Sequence, residues 1–296
     1  MKLVSDFDGV WTYPDAEAEA QGRILDAMLE DALAEELRDR GREWIGSARA
    51  AVAASPRRWG WRANGTMSAF GDEDPFTAHN GLLHYIEGSG DTDPLARAIL
   101  DGFAARGADF HAAGGESHAQ GVASVVNARG PAMAPGARDA GRALLDAGVE
   151  VAVVSNSPNE KLAAWFASAD IASRPHPERS DRAFRLRGRS RKFEIDPARS
   201  ELLRLGDLAI ETARPTYERV LREERPDAVI GDVFSLDVAL PLRLKRTEPE
   251  WRGLRVLWLM QPYTPGWLRA AVEWHAGGEV ECIEGGLPGL AAALTR

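Results

Sequence analysis

Asp6 and Asp8 stand one residue apart in the run Ser5-Asp6-Phe7-Asp8-Gly9-Val10-Trp11-Thr12, directly after the apolar stretch Leu3-Val4. Side chains alternate between faces along an extended chain, so the two carboxylates converge on one point for as long as the backbone stays extended. Carboxylates that close raise each other's pKa unless a cation lies between them, which makes a divalent metal their natural companion. Gly9 then lets the chain turn sharply. Further along, Ser155-Asn156 follow the apolar run Val149 to Val154, and Asp232 follows Ala228-Val229-Ile230-Gly231. Each group has an ordinary reading when taken alone. Asp-x-Asp can be a solvated turn or helix cap, Ser-Asn a strand-closing turn and Gly-Asp a capping aspartate. What sets them apart is a shared place, the carboxyl end of an expected strand.

These strands belong to a pattern that predicts an α/β fold. From Ala134 onward the chain alternates helix and strand: helices at Ala137 to Ala147, Asn159 to Ser168, Arg214 to Glu224, Pro265 to Trp274 and Leu287 to Leu294, with apolar strands at Val149 to Val154, Ala228 to Ile230, Leu254 to Met260 and Glu279 to Ile283. A further strand is expected near Lys192 to Ile195. Such alternation gives a Rossmann-like parallel sheet with helices on both faces, and reactive groups gather at the carboxyl ends of its strands. A strand at residues 2 to 7 cannot fold alone, so it must join this sheet. The intervening block, residues 13–133, is then an insertion, and its apolar spacing over Ala16 to Arg49, Leu82 to Ile86 and Pro94 to Ala105 reads as mainly helical. The expected domains are 1–12 with 134–296 as an α/β core and 13–133 as a helical inserted domain. Arg57 to Pro75 reads as loop, with Trp59, Trp61 and Phe70 packing and Asp72-Glu73-Asp74-Pro75 capping the next helix.

At 296 residues, 44% of them hydrophobic, the chain can bury a large core, and a formal net charge of -9 argues against a nucleic-acid partner. The Lys and Arg runs Arg182 to Lys192 and Arg243 to Arg246 read as solvated faces. The single cysteine, Cys282, excludes an intramolecular disulfide and fits a reducing cytosol as a buried small hydrophobe. No stretch approaches the roughly 18 apolar residues of a membrane span, and the first strand starts almost at Met1, so the expectation is a cytoplasmic protein without a membrane association. A small-molecule partner is favoured, and the oligomeric state stays open.

Together these residues resemble the haloacid dehalogenase superfamily of aspartate-nucleophile phosphohydrolases. The resemblance covers residues 1–12 and about 134–296. Its first motif matches Asp6-Phe7-Asp8-Gly9-Val10-Trp11-Thr12, implying Asp6 as nucleophile and Asp8 as general acid and base. The second matches Val153-Val154-Ser155-Asn156-Ser157, implying that the Ser155 hydroxyl and the Asn156 backbone amide hold the phosphoryl group. The fourth matches Val229 to Asp237, implying that Asp232, helped by Asp237, holds magnesium. The third motif departs from the pattern of a lysine often followed by proline. Arg214-Pro215-Thr216-Tyr217 occupies the expected place, and Lys192 competes with Arg214 for the role of the cation beside the nucleophile and the phosphate. Arginine keeps the charge without copying lysine's geometry.

The chemistry agrees with the elementary demands of the reaction. A phosphate monoester dianion repels an incoming carboxylate, so cations must offset that repulsion and an acid must protonate the departing alkoxide. The set Asp6, Asp232, Asp237 and Asp8, the last through its backbone carbonyl, supplies ligands for Mg2+, with Lys192 or Arg214 as second cation. The expected activity is a magnesium-dependent phosphatase for a small phosphorylated metabolite. A phosphotransferase or phosphomutase of the same superfamily is the nearest alternative. A phosphate-ester-binding regulatory protein is the alternative from another class, and metal-free dehalogenation has no need of Asp8. The resemblance makes the inserted block a cap that selects the substrate, and His111 to His118 reads as a loop suited to meeting the leaving group or simply as an exposed connection.

Overall fold

The computed structural model describes residues 1–178 and 182–295 of the chain; residues 179–181 and 296 of the expected core domain lie outside the described residues. In order the elements are strand β1 (Lys2–Ser5), helices α1 (Asp15–Ala32) and α2 (Arg38–Ala54), strands β2 (Gly60–Ala63) and β3 (Thr66–Phe70), helices α3 (Pro75–Ser89), α4 (Pro94–Ala105), α5 (Ala113–Arg129) and α6 (Ala137–Asp146), strand β4 (Glu150–Val154), helix α7 (Asn159–Ser168), strands β5 (Ser173–Pro175), β6 (Phe184–Arg187), β7 (Leu202–Leu205) and β8 (Leu208–Glu211), helix α8 (Pro215–Glu224), strand β9 (Ala228–Gly231), helix α9 (Ala239–Thr247), strand β10 (Arg255–Leu259), helix α10 (Gly266–Ala276), strand β11 (Val280–Ile283) and helix α11 (Gly286–Leu294). The chain divides into two units, one of Met1–Tyr13, Ala63–Ser68 and Pro131–Arg296, the other of Pro14–Arg62 and Ala69–Gly130.

In the first unit, seven strands form a parallel sheet in the order β11-β10-β9-β1-β4-β6-β5, the Rossmann-like α/β architecture that the alternation predicts. β1 lies near the middle, with Ser5 paired to Val153 of β4 and to Ile230 of β9. This register brings the chain beyond β1, β4 and β9 to one edge of the sheet. The central strands are buried on both faces, which is why they read as unbroken apolar runs. Beneath the loop after β1, Phe7, Trp11, Phe166 and Phe184 pack edge to face at 5.1–5.6 Å between centroids. Trp11 Nε1 donates to Ser5 Oγ at 2.9 Å, so this buried indole keeps a polar partner.

The second unit is built on α1 to α5. Leu25, Leu29, Leu33, Ile45, Leu82, Ile86, Ile99 and Phe103 form its core. Asp74 caps α3 in a reciprocal box with Thr77, with Pro75 in the first turn. His111 to His118 is largely helical, because α5 starts at Ala113; its two glycines concealed the helix. Among the described residues no helix is long and apolar enough to cross a membrane.

Three expectations fail for physical reasons. Arg57 to Pro75 holds the hairpin β2–β3, turned by Asn64 and Gly65 at φ 51° and 77°. No strand forms at Lys192 to Ile195, where Arg189 and Arg191 adopt φ of 54° and 46° and break the extended path. The charged run from Arg182 is not a solvated face throughout: Arg185 and Lys192 are buried and ion-paired, and Phe184–Arg187 is strand β6.

Candidate active site

The strand β1 ends at Ser5, and the chain turns at once, with the amides of Val10 and Trp11 both donating to Phe7 O. Asp6 and Asp8 therefore do not converge as extended residues would. The Asp6 carboxylate meets Lys192 Nζ at 2.5 Å, while Asp8 accepts from Lys161 Nζ at 2.9 Å and from Ser157 Oγ at 2.9 Å. Gly9 makes the turn possible on two counts: its φ is 77°, and a Cβ there would lie 2.0 Å from Asp232 Oδ2. Asp232 thus sits against the turn that follows Asp6.

Asp237 arrives from a short π-helical turn, Phe234–Val238, after β9. Such turns are uncommon and concentrate at functional sites. One Asp237 oxygen accepts from the Val233 amide at 3.1 Å, and the other binds Lys192 Nζ at 2.5 Å. Gly231 permits this approach, since a Cβ on it would sit 2.2 Å from Asp237 Cβ. Tyr217 donates to the Asp237 carbonyl at 3.0 Å, Tyr263 to Asp232 Oδ2 at 2.8 Å, and Trp258 to the Asp232 carbonyl at 2.8 Å. Gln261 donates to the Gly9 carbonyl and fixes the turn from the β10 side.

The two competitors for the cation have separated. Lys192 reaches Asp6 and Asp237, whereas Arg214 is wholly buried and donates to the carbonyls of Lys192, Ser68 and Glu211 and to Ser68 Oγ. Asn156 Oδ1 accepts from the Lys192 amide at 2.7 Å. The lysine backbone is therefore clasped on both sides. Ser155 Oγ accepts from the Ser157 amide at 3.0 Å and lies 3.4 Å from Asp8 Oδ2.

Among the described residues, carboxylate oxygens of Asp6, Asp232 and Asp237 lie within 4.8 Å of one another, and all three residues are buried. Lys192 Nζ is shared between Asp6 and Asp237, at 2.5 Å from each. Burial, then the neighbouring Asp237 and Asp8, push the Asp6 carboxyl up to about 8 against the pull of Lys192. Burial opposes the charge on Lys192, yet Asp237 and Asp6 hold its pKa above the ordinary lysine value. Three carboxylate oxygens gathered this closely are hard donors that fit a small divalent cation such as Mg2+. A cation held there would favour the ionised form of Asp6 and pull its pKa back down.

No family model matches the chain, and no curated protein matches it. Among solved structures a similar chain is YfnB of Bacillus subtilis, designated a HAD-hydrolase and described in a form bound to magnesium. The likeness covers 100% of this chain and 98% of that chain, at 11% sequence identity and a TM-score of 0.43.

Several contributors escaped the sequence reading, Lys161, Tyr263, Trp258 and Gln261 among them. Lys161 lies on the buried stripe of α7 beside Leu162, Trp165 and Phe166, and a lysine on an apolar helical face was the available signal. Tyr263 follows β10 in a loop whose composition marks nothing.

Proposed function

We propose that this protein is a magnesium-dependent phosphohydrolase of the haloacid dehalogenase type, acting on a small phosphorylated metabolite through a covalent intermediate on Asp6. The observation that carries the reading is the buried cluster of Asp6, Asp232, Asp237 and Lys192 at one edge of a parallel sheet. Asp6, Asp232 and Asp237 would hold the magnesium, whose chemistry when bound is to neutralise charge on the phosphoryl oxygens and on Asp6. Lys192 adds a second positive charge beside the nucleophile. The Ser155 hydroxyl and Asn156 amide hold the phosphoryl group.

An Asp6 oxygen forms a bond to phosphorus as the bond from phosphorus to the leaving oxygen breaks, and Asp8 gives that oxygen its proton. Water then attacks the aspartyl-phosphate, Asp8 takes a proton from it, and the bond to Asp6 breaks to release inorganic phosphate. In this reading residues 1–12 and 134–296, joined by Ala63–Ser68, form the catalytic core, the rest of residues 13–133 is the cap that selects the substrate, and the protein works in the cytoplasm.

Purified protein should hydrolyse p-nitrophenyl phosphate with magnesium, lose that activity with a chelator, and lose at least ~10³-fold as Asp6→Asn. Full activity in Asp6→Asn sinks the assignment of the nucleophile. Phosphate appearing on an added alcohol instead of in solution would identify a phosphotransferase.

A further inference from the structure

Lys161 is a buried lysine, 8% exposed, in the first turn of α7. Its ammonium lies 5.9 Å from the ring centroid of Phe7 and 5.3 Å from that of Trp165, and it donates to Asp8 Oδ1 at 2.9 Å. The other Asp8 oxygen accepts from Ser157 Oγ at 2.9 Å and lies 3.4 Å from Ser155 Oγ. Every one of these donors comes from the loop after β4 or the helix it opens. The Asp8 carboxylate is thus held at both oxygens, and aromatic walls restrict where the ammonium can swing.

A buried ion pair is a poor way to stabilise a fold, since apolar side chains of the same size commonly serve as well or better. What such a pair does supply is a fixed orientation. A carboxylate accommodates about four hydrogen bonds, and donors at both oxygens set its plane.

We infer that Lys161 is a positioning residue that acts through Asp8: with its ammonium on Oδ1, and with Ser157, it fixes the plane of the Asp8 carboxyl so that Oδ2 is the oxygen that carries the proton to the leaving-group oxygen and takes one back from the hydrolytic water. The inference rests on the proposed role of Asp8 as general acid. The effect of Lys161 should grow as the leaving group becomes a stronger base, because a nitrophenolate departs with little help and an unsubstituted phenolate needs a proton.

The test is a series of substituted phenyl phosphates, from nitrophenyl to phenyl, with wild type, Lys161→Met, Lys161→Arg, Asp8→Asn and the Asp8→Asn/Lys161→Met pair. Lys161→Met should lose roughly 10- to 100-fold in kcat/KM on phenyl phosphate and much less on p-nitrophenyl phosphate. Lys161→Arg should recover part of the loss, and the double variant should be no worse than Asp8→Asn. Equal losses across the series, or losses that add in the double variant, overturn the inference. A crystal structure of Lys161→Met supplies a readout apart from activity: an Asp8 carboxylate unmoved from Ser157 overturns it too. If the wild type hydrolyses no phosphate ester, the proposed function fails, and the orienting role of Lys161 is decided by that structure.

Discussion

At Gly9 the Cα has room for a hydrogen atom and nothing larger. The Asp232 carboxylate occupies the space a methyl group would take, 2.0 Å from the Cβ position, and φ of 77° adds strain for any other residue. Gly9→Ala should therefore displace Asp232, reducing the proposed phosphatase activity by about 10²-fold and stability by about 1–3 kcal/mol. Steady-state assays across magnesium concentrations and urea unfolding would check both; unchanged magnesium dependence would mean that Asp232 had not moved. The residues bearing the charges were legible, because carboxylates after apolar runs are conspicuous. Their orientation was not. Alternation put Asp6 and Asp8 together, but the turn begins at Phe7, and the two side chains take different lysines. Nor could spacing decide between Lys192 and Arg214, because the decision is made by contacts far apart in the chain.

The strands of the parallel sheet were readable almost to the residue where both faces are buried, as in β4, β9 and β10. Hairpins and charged strands were not. β2–β3 carries Asn64-Gly65, a dipeptide suited to a tight turn with positive φ at both positions, yet its short arms lack a sustained alternation. β6 reads Phe-Arg-Leu-Arg and looks solvated, but its Arg185 is buried against Glu224 and Glu150. The β2–β3 hairpin matters to the site: Ser68 Oγ donates to the Phe193 carbonyl at 2.7 Å and accepts from Arg214 at 2.9 Å, and Asn64 donates to the Ile195 carbonyl at 2.8 Å. Ser68→Ala leaves a partly buried carbonyl and a buried guanidinium each short of a partner. Urea unfolding should report a loss of about 1–3 kcal/mol; a neutral result would show that water replaces the hydroxyl.

Across the whole molecule, acid stability should depend on a second charge cluster distinct from the carboxylates at the strand ends. Glu224, at the end of α8, binds Arg185 and Arg187. Burial raises its pKa, but the bonds and charges of Arg187 and Arg185 outweigh that and hold it below the usual carboxylate range. Its stabilisation is therefore fully present above the ordinary glutamate value of about 4.5 and is lost as pH falls through the lower folded value. At pH 7, Glu224→Gln should cost about 3–5 kcal/mol, since it leaves buried arginine charge without that partner. Thermal melts of both proteins should converge as the pH drops through that lowered folded value; a gap independent of pH would refute the assignment.

The inserted segment does not form one uninterrupted body. Residues 63–68 return to the sheet unit before the chain leaves again, so the backbone passes between the units four times instead of twice. For anyone recombining such proteins, the insertion is consequently not an exchangeable cassette bounded by residues 13 and 131. Cutting it out would remove Asn64 and Ser68, the groups that bridge Ile195, Phe193 and Arg214. A chimera would have to treat Ala63–Ser68 as the recipient's own sequence and splice around it, with separate junctions on either side of the hairpin.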